Sequence, residues 1–434
     1  MDFRILDYEF TPIDTLDQYT SIIWTARFLE AGDFELYTPI NQRLLTDIKI
    51  GYYLFCDEFY NVSQNRAHLM IIETIEITSD PESGNTIKVT GRDLKSIMDR
   101  RIVWGQRMFY SKDSVETVIS TLLDENAINP SDWSKEYQDG DEEEPIRVSV
   151  SGETRRIPNL VYEQTGYGYP SIDGDYQYNG ETLYDVFVEL LERFRLGWEI
   201  LYDFSTKEFV FRLRPQVDHT YYQNERNPLI FSPEFENLKN SNYIESSVTE
   251  KNSGLITGEG DEYNAMYNTI GNDISGLNRR EMHISASDVS RKPEEGTYEP
   301  VEPKGDENPS ELSWYEIVDE EYVLTTDTIV VEDKEYYAYI TEYGNKTYLS
   351  LLLTKAENEL AQNTYTQTYE GNAESSRGYE YMKDYDIGDI CEVINEWGIS
   401  SNVVISEVVL SINTNDISII PTFASIDNSE EVIS

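Results

Sequence analysis

Cysteine, histidine and basic side chains are all scarce in this chain, and each scarcity excludes something. Only Cys56 and Cys391 occur among 434 residues. They are too few and too far apart for a disulfide framework, so synthesis in a reducing compartment is expected. The three histidines, His68, His219 and His283, stand far from one another and from either cysteine. Zinc needs several nitrogen or sulfur ligands converging, so these histidines read as ordinary strand or surface residues. No metal site and no cofactor are expected. A G-x-S-x-G nucleophile motif is missing, as is a G-x-x-x-x-G-K-[ST] phosphate loop. The usual flags of hydrolase and nucleotide chemistry are therefore missing too. The N-terminus has no basic segment followed by an apolar run, and no stretch approaches the ~18 apolar residues of a membrane helix. The expectation is a soluble chain, made in a cytoplasm and not inserted in a membrane by its own segments.

What is abundant is negative charge. Lys plus Arg total 34 against 82 Asp plus Glu, for a formal net charge of -48. Such a chain repels nucleic acid and anionic membranes, so binding through a basic face is excluded. The acidity confers solubility, reflects a salty habitat, or lines a conduit that polyanions pass without sticking; composition does not choose. An apolar share of 39% supports globular folding, and the length suggests two to four domains. The 33 tyrosines suit pleated, half-buried strand positions and also subunit interfaces.

Along the chain, four segments emerge. Residues 1–105 read as β-structure. A hairpin forms from Ser21–Phe28 and Phe34–Tyr37 around Gly32, and a second joins Met70–Thr78 to Thr86–Thr90. A short helix over Asp93–Arg100 follows. Residues 106–230 are α+β. Val115, Val118, Ile119, Leu122 and Leu123 form one helical stripe, with Ser111 as its N-cap. Leu183, Val186, Phe187, Leu190, Leu191 and Phe194 form another, with Gly197 as its stop. The hairpin Trp198–Tyr202/Glu208–Leu213 comes next. An acidic loop at Asp139–Glu144 and a Gly/Tyr-rich stretch at Gly166–Tyr178 read as irregular. Residues 231–345 mix strands and loops around a linker, Pro293–Tyr322, with four prolines and eleven acids against one lysine. Proline interrupts pairing and like charges repel, so an extended or mobile insertion is expected. The linker holds only a small share of the acids, so most of the charge belongs to folded surface. Residues 346–434 give a helix over Thr347–Asn363, striped by Leu349, Leu352, Leu353, Ala356 and Leu360. A three-strand meander closes the chain: Ile390–Asn395, Val403–Ile412 and Ile417–Phe423.

Two candidate chemistries remain. Asp173–Glu181 resembles a calcium loop but lacks the third carboxylate and the central glycine that the EF-hand turn needs. Paired carboxylates for glycoside hydrolysis are available, but among so many acids none is set apart. Asp99, beside Arg100 and Arg101, reads as part of an ion-pair network, and Arg155 and Arg156 as solvated charges.

Three stretches carry a resemblance. They are Ser21–Thr25 through Ala31-Gly32-Asp33-Phe34-Glu35-Leu36, the run Gly91-Arg92-Asp93-Leu94 through Arg100-Arg101 to Trp104, and Asp384–Ile390 with the meander behind it. Together these resemble the siphophage tail-hub family, also called tail-associated or tail-tip proteins. The resemblance runs in order along the whole chain, more loosely in the middle and the linker. It implies a β-rich α+β fold similar to the T-even myophage baseplate hub, with two tube-like antiparallel β-barrel domains joined by α+β domains. It implies no enzymatic activity, and structural roles for Trp24, Gly32, Asp33, Phe34, Gly91, Arg92, Asp93, Leu94, Arg100, Arg101, Trp104, Asp386, Gly388 and Asp389. It further implies a homotrimeric ring at the tail tip of the virion, continuing the tail tube and passing genomic DNA at ejection. The implied partners are the distal tail protein, the tail tube, the tape measure protein and a tail fibre or receptor-binding protein. Because the chain stops at Ser434, soon after the meander, wall-degrading or receptor-binding activity is expected on another chain. A tail-associated wall hydrolase and a carbohydrate-binding adhesin using Tyr162–Tyr178 are the competing readings.

Overall fold

The computed structural model describes residues 2–16, 18–40, 42–80, 84–137, 146–260, 264–292, 298–300, 314–318, 321–324, 337–339, 342–373, 378–413 and 417–425. The N-terminal part contains β1 (Phe3–Leu6), β2 (Pro12–Thr15), β3 (Ser21–Arg27), β4 (Asp33–Pro39), the short helix α1 (Gln42–Asp47), β5 (Tyr53–Asn61), β6 (Arg66–Asp80) and β7 (Gly84–Asp93). A 3-10 turn, Leu94–Arg100, follows. These strands pair antiparallel in the order β3-β4-β7-β6-β5-β1-β2. Alternation explains the sheet. In β4, Phe34, Leu36 and Thr38 point inward while Asp33, Glu35 and Tyr37 are half-buried. Trp24, opposite Phe34, stacks on Phe59 at 5.0 Å.

The middle holds β8 (Arg107–Phe109), α2 (Val115–Leu123), β9 (Trp133–Tyr137), β10 (Ile146–Val150), α3 (Gly152–Arg155), β11 (Leu160–Tyr162), β12 (Tyr176–Tyr178), α4 (Leu183–Arg193), β13 (Leu196–Asp203) and β14 (Glu208–Pro215). Both apolar stripes are buried, except for the half-buried Phe194, in one cluster that also takes in Leu6, Phe55, Leu69 and Ile71 of the N-terminal sheet. The cap of α2 is Ser114, whose hydroxyl accepts from Thr117 N at 3.1 Å, and not Ser111 as the sequence suggests. Ser111 N is instead held by Asp175, and Asp113 closes the turn onto Tyr110 N. Nor does Gly197 stop α4. The left-handed position that often ends a helix is taken by Arg195 (φ 54), and Gly197 already lies inside β13. The acidic loop at Asp139–Glu144 lies outside the described residues.

Next come β15 (Val217–Asp218), β16 (Ile230–Phe231), β17 (Leu238–Ser246), β18 (Ser253–Gly258), β19 (Tyr267–Ile270), β20 (Glu281–Ala286), β21 (Tyr298–Pro300), β22 (Trp314–Val318), β23 (Glu321–Leu324) and β24 (Tyr337–Tyr339). The linker reading is corrected here, because β21 pairs with β24 and β22 with both β23 and β24. Pro300 ends a strand paired, among the described residues, on one side, and such edge positions tolerate proline. The rest of the linker lies outside the described residues. Helix α5 (Asn345–Ala361) packs on the β18-β19-β20 sheet through Tyr348, Leu351, Leu352 and Ala356. Leu349, Leu353 and Leu360, expected in its stripe, are only half-buried. The stripe is turned because the Tyr348 hydroxyl is anchored, donating to Val289 O and accepting from Glu259 N.

The chain closes with β25 (Thr366–Ala373), β26 (Asp389–Ile394), β27 (Ser400–Asn413) and β28 (Ile417–Ser425). Here β26, β27 and β28 form the expected meander, and β28 continues through β25 to β17. The distal half of β27 pairs with β3 from Glu407↔Arg27 to Asn413↔Ser21. The two ends of the chain are therefore one continuous ladder.

Candidate functional site

Where β3 hands over to β4, the chain must turn between Arg27 and Asp33. Four successive carbonyl oxygens of this turn converge on one ammonium. Lys95 Nζ donates to Arg27 O, Phe28 O, Leu29 O and Glu30 O at 2.8, 3.2, 3.4 and 2.9 Å. Lys95 is 3% exposed, and its Nζ lies 5.4 Å from the Trp198 ring centroid. Asp93, two residues earlier, fixes both sides. Its Oδ1 accepts from Lys95 N and its Oδ2 from Gly32 N, each at 2.9 Å. Burial pushes the Lys95 ammonium down to about 8, against the pull of Asp93 and Glu199. Gly32 is required by close approach, since a Cβ there would sit 2.3 Å from Thr25 O.

The same turn carries a wedge. Phe28 is enclosed between two glycines, where a Cβ on Gly197 would stand 2.4 Å from its ring and one on Gly388 2.3 Å. Its backbone N–H donates to Ser406 O and its carbonyl accepts from Trp198 N. Arg27 extends the lock, pairing with Asp33 at 2.7 Å and Glu407 at 2.6 Å. The β3–β4 turn, the β13–β14 hairpin and the C-terminal meander thus meet at one point.

Behind the wedge lies a second ionic layer. Glu199, 4% exposed on β13, faces Arg212 at 2.5 Å, His68 at 3.5 Å and Arg214 at 3.6 Å. Burial alone would raise this carboxyl, but Arg214, His68 and Arg212 together hold it at about 2. Arg214 continues to Asp386 at 2.9 Å and Ile387 O at 3.2 Å. Asp386 N in turn donates to Asp389 Oδ2 at 2.8 Å, and Gly388 takes φ 89 between them. Burial lowers the His68 pKa.

Of the sequence motifs, Gly32, Asp33, Asp93, Asp386, Gly388 and Asp389 come together at this joint. Arg92 stands at its margin on Glu73 and Asp99, so Asp99 is paired with Arg92. Trp24, Phe34 and Leu94 are buried core, and Gly91 passes against Ile71 O, where a Cβ would come to 1.7 Å. Arg100 is exposed. Arg101 and Trp104 form a separate corner: Arg101 donates to Arg155 O, and the Arg155 guanidinium lies 4.7 Å from the Trp104 ring. Arg155 is buried there, not solvated as expected, because Trp104 covers it and Ser131 O accepts its bond. Lys95, Phe28, Glu199, Arg214 and Glu407 carry no site reading from sequence, and Gly197 reads there only as a helix stop. For Lys95 the motif position two residues after Asp93 is a usable signal, and for Glu199 the hairpin that sets it opposite Arg212 is another; Phe28 and Glu407 meet partners far along the chain, which leaves none.

The joint's charges are turned toward one another, so what it does chemically is hold geometry. The candidate calcium loop is likewise occupied internally, with Asp173 on Arg193, Asp175 on Ser111 N and Glu181 on Asn179 N. Among the described residues no His/Cys/Asp/Glu group could hold a metal ion. The rings proposed for glycan binding are mostly spent in the core, with Tyr169, Tyr176 and Tyr178 buried. Burial pushes the Cys56 thiol up to about 11, which makes it unreactive. Among the described residues no helix is long and apolar enough to cross a membrane.

The class defined by this fold and joint is a β-rich α+β scaffold fastened end to end. The family follows from comparison: the model of the Siphovirus ReqiPepy6 Gp37-like proteins matches residues 2–423, and the chain belongs to that family of siphovirus tail proteins. No curated protein matches. Among solved structures, the 43 kDa tail protein of prophage MuSo2 from Shewanella oneidensis is 11% identical, with 98% of each chain covered and a TM-score of 0.46. The tail protein of Neisseria meningitidis MC58 is 10% identical, covering 98% of this chain and 97% of that one, with a TM-score of 0.45. An E. coli type VI secretion component, described as similar to the T4 tail proteins gp27 and gp5, is 10% identical. It covers 95% of this chain and 74% of its own, at a TM-score of 0.39.

Proposed function

We propose that this chain is the structural hub of a siphophage tail tip, three copies of which form a ring that continues the tail tube. The observation that carries this is the β27–β3 seam within a tail-protein family match over residues 2–423. It joins an N-terminal ladder of seven strands to a C-terminal ladder of β26, β27, β28, β25 and β17; in this reading each ladder belongs to one tube-like unit. Three chains then supply six quasi-equivalent positions, the number needed to meet a six-fold tube. In this reading residues 1–105 form the first unit and 346–434 contribute to the second. Segments 106–230 and 231–345 are the α+β and mixed domains between them. The distal tail protein, tube, tape measure protein and a fibre or receptor-binding protein are the neighbours, and the hub itself turns over no substrate.

Much of the -48 charge faces the bore, where it repels phosphates that a basic wall would retain by counterion release. The decisive measurement is mass in solution with a three-fold reconstruction. The expected result is a particle three times the 50.3 kDa chain with an acidic lumen. A monomer at all concentrations, with or without tube protein, overturns the ring. A basic lumen overturns the slippery conduit. Clearing of host cell wall by the purified protein overturns the absence of turnover.

A further inference from the structure

Among the described residues one indole stands exposed and, elsewhere, a groove has the chemistry to suit an indole. Of the five tryptophans with described side chains, only Trp397 is exposed, at 81%. It is held out by a tightly built turn between β26 and β27. Asn395 Oδ1 accepts from both Trp397 N and Ile399 N at 2.9 Å, Gly398 N donates to Asn395 O, and Gly398 takes φ 74. Asn395 itself is buried. A large aromatic on a rigid support, with little order left to lose, is the usual anatomy of an interface anchor.

The groove lies where β1 and β5 meet the tip of the β13–β14 hairpin. Its walls are Leu6, Phe10, Pro12, Phe55, Tyr60 and Phe204, its volume is about 400 Å³, and Arg4 and Asp57 stand at its rim. That volume is in the range of small-molecule sites. Phe10 is placed there at a conformational cost. It is a non-glycine residue at φ 62, held by the Asp7 turn and by stacking on Tyr202 at 3.8 Å. Aromatic walls receive a ring edge-on or offset, the Asp57 carboxylate can accept an indole N–H, and the Arg4 guanidinium can cover its face.

We propose that Trp397 of one copy seats in the Phe10–Phe204 groove of the next. Within one chain Trp397 stays in solvent and does not line this groove. The contact joins two different patches, so it is head-to-tail and propagates round a ring. The proposal rests on the hub reading and adds to it a defined knob and hole. It also carries an unusual salt signature. Two copies each bearing -48 repel, and the seat is mainly apolar, so added salt strengthens the association by screening.

The test uses the full chain. Mass by light scattering is measured for wild type, Trp397→Ser and Pro12→Arg, the last placing a charged side chain in the groove mouth at an exposed position. Both variants are expected to raise the dissociation constant at least tenfold. An equimolar mixture of the two restores one intact contact per pair and yields dimers. As a check independent of folding, a chain carrying Trp397→Cys is mixed with one carrying Tyr60→Cys under oxidation; a cross-linked pair is expected only in that combination. If wild type forms rings while both variants assemble equally well and no cross-link appears, the knob-and-hole contact is wrong and the hub reading stands. If wild type stays monomeric throughout, both fall. Equal loss of assembly by variants whose mixture yields no dimers also overturns the contact.

Discussion

At the scale of single residues, Lys95 is the side chain whose chemistry is most altered by the fold. Its ammonium is surrounded by four carbonyls yet has lost its water, and its pKa falls to about 8. In the unfolded chain the same group titrates near ~10.4. Between those values the unfolded state binds a proton that the folded state has released, so stability rises with pH across the window. Below about 8 both states are protonated and the burial penalty is fully felt. Lys95→Met removes the titration while leaving every tyrosine in place. The difference in unfolding free energy between wild type and variant should therefore grow in favour of wild type from pH 8 to pH 10, by about 2 kcal/mol. Urea denaturation at half-unit pH steps measures this. Parallel profiles for the two proteins would contradict the depressed ammonium.

At the scale of elements, the Phe28 wedge explains why two glycines distant in sequence face one ring. Gly197→Ala brings a methyl to about the ring carbons of Phe28, an overpacking that costs roughly 1–3 kcal/mol. In a Phe28→Ala background the same methyl enters space the ring has left, so Gly197→Ala should cost less than ~0.5 kcal/mol there. Gly388→Ala should be rescued only partly, because its φ of 89 strains any side chain regardless of space. A thermal-melt cycle over the four proteins decides, and equal costs in both backgrounds would refute the wedge. Local periodicity made much of this level legible. The stripe Leu183 to Leu191 announced α4, and the β26-β27-β28 meander was readable from its turns. Boundaries set by distant partners were not. Gly197 looked like a helix stop because nothing nearby in sequence reveals Phe28. Pro300 looked like a strand breaker because its edge position depends on Tyr337–Tyr339. The ionic layer at Glu199 is half legible, since the β13–β14 hairpin already brings Arg212 and Arg214 near it, whereas His68 and Asp386 arrive only through the fold.

At the scale of the molecule, the seam between β3 and β27 decides whether the chain behaves as one body or as separate units. Trp24 lies opposite Leu410 and Ile22 opposite Ile412, and all four side chains are buried in the N-terminal core. Ile405 and Val408, earlier along β27, belong to the cluster that Phe28 shares with Tyr385 and Phe423. One strand thus contributes to both cores, so neither core can open without exposing apolar surface of the other. Loss of a buried leucine alone is worth roughly 2–5 kcal/mol, enough to couple the two openings. Native-state hydrogen exchange should then show amides of Ile22–Thr25 and Val408–Leu410 exchanging with one common opening free energy, the largest in the chain. Leu410→Ala should lower protection in both strands by the same amount. Faster exchange of β27 with β3 unaffected would mean that the C-terminal ladder peels away on its own. Under the proposed hub function, two units that separate in that way could not keep a continuous wall around a passing chain of DNA.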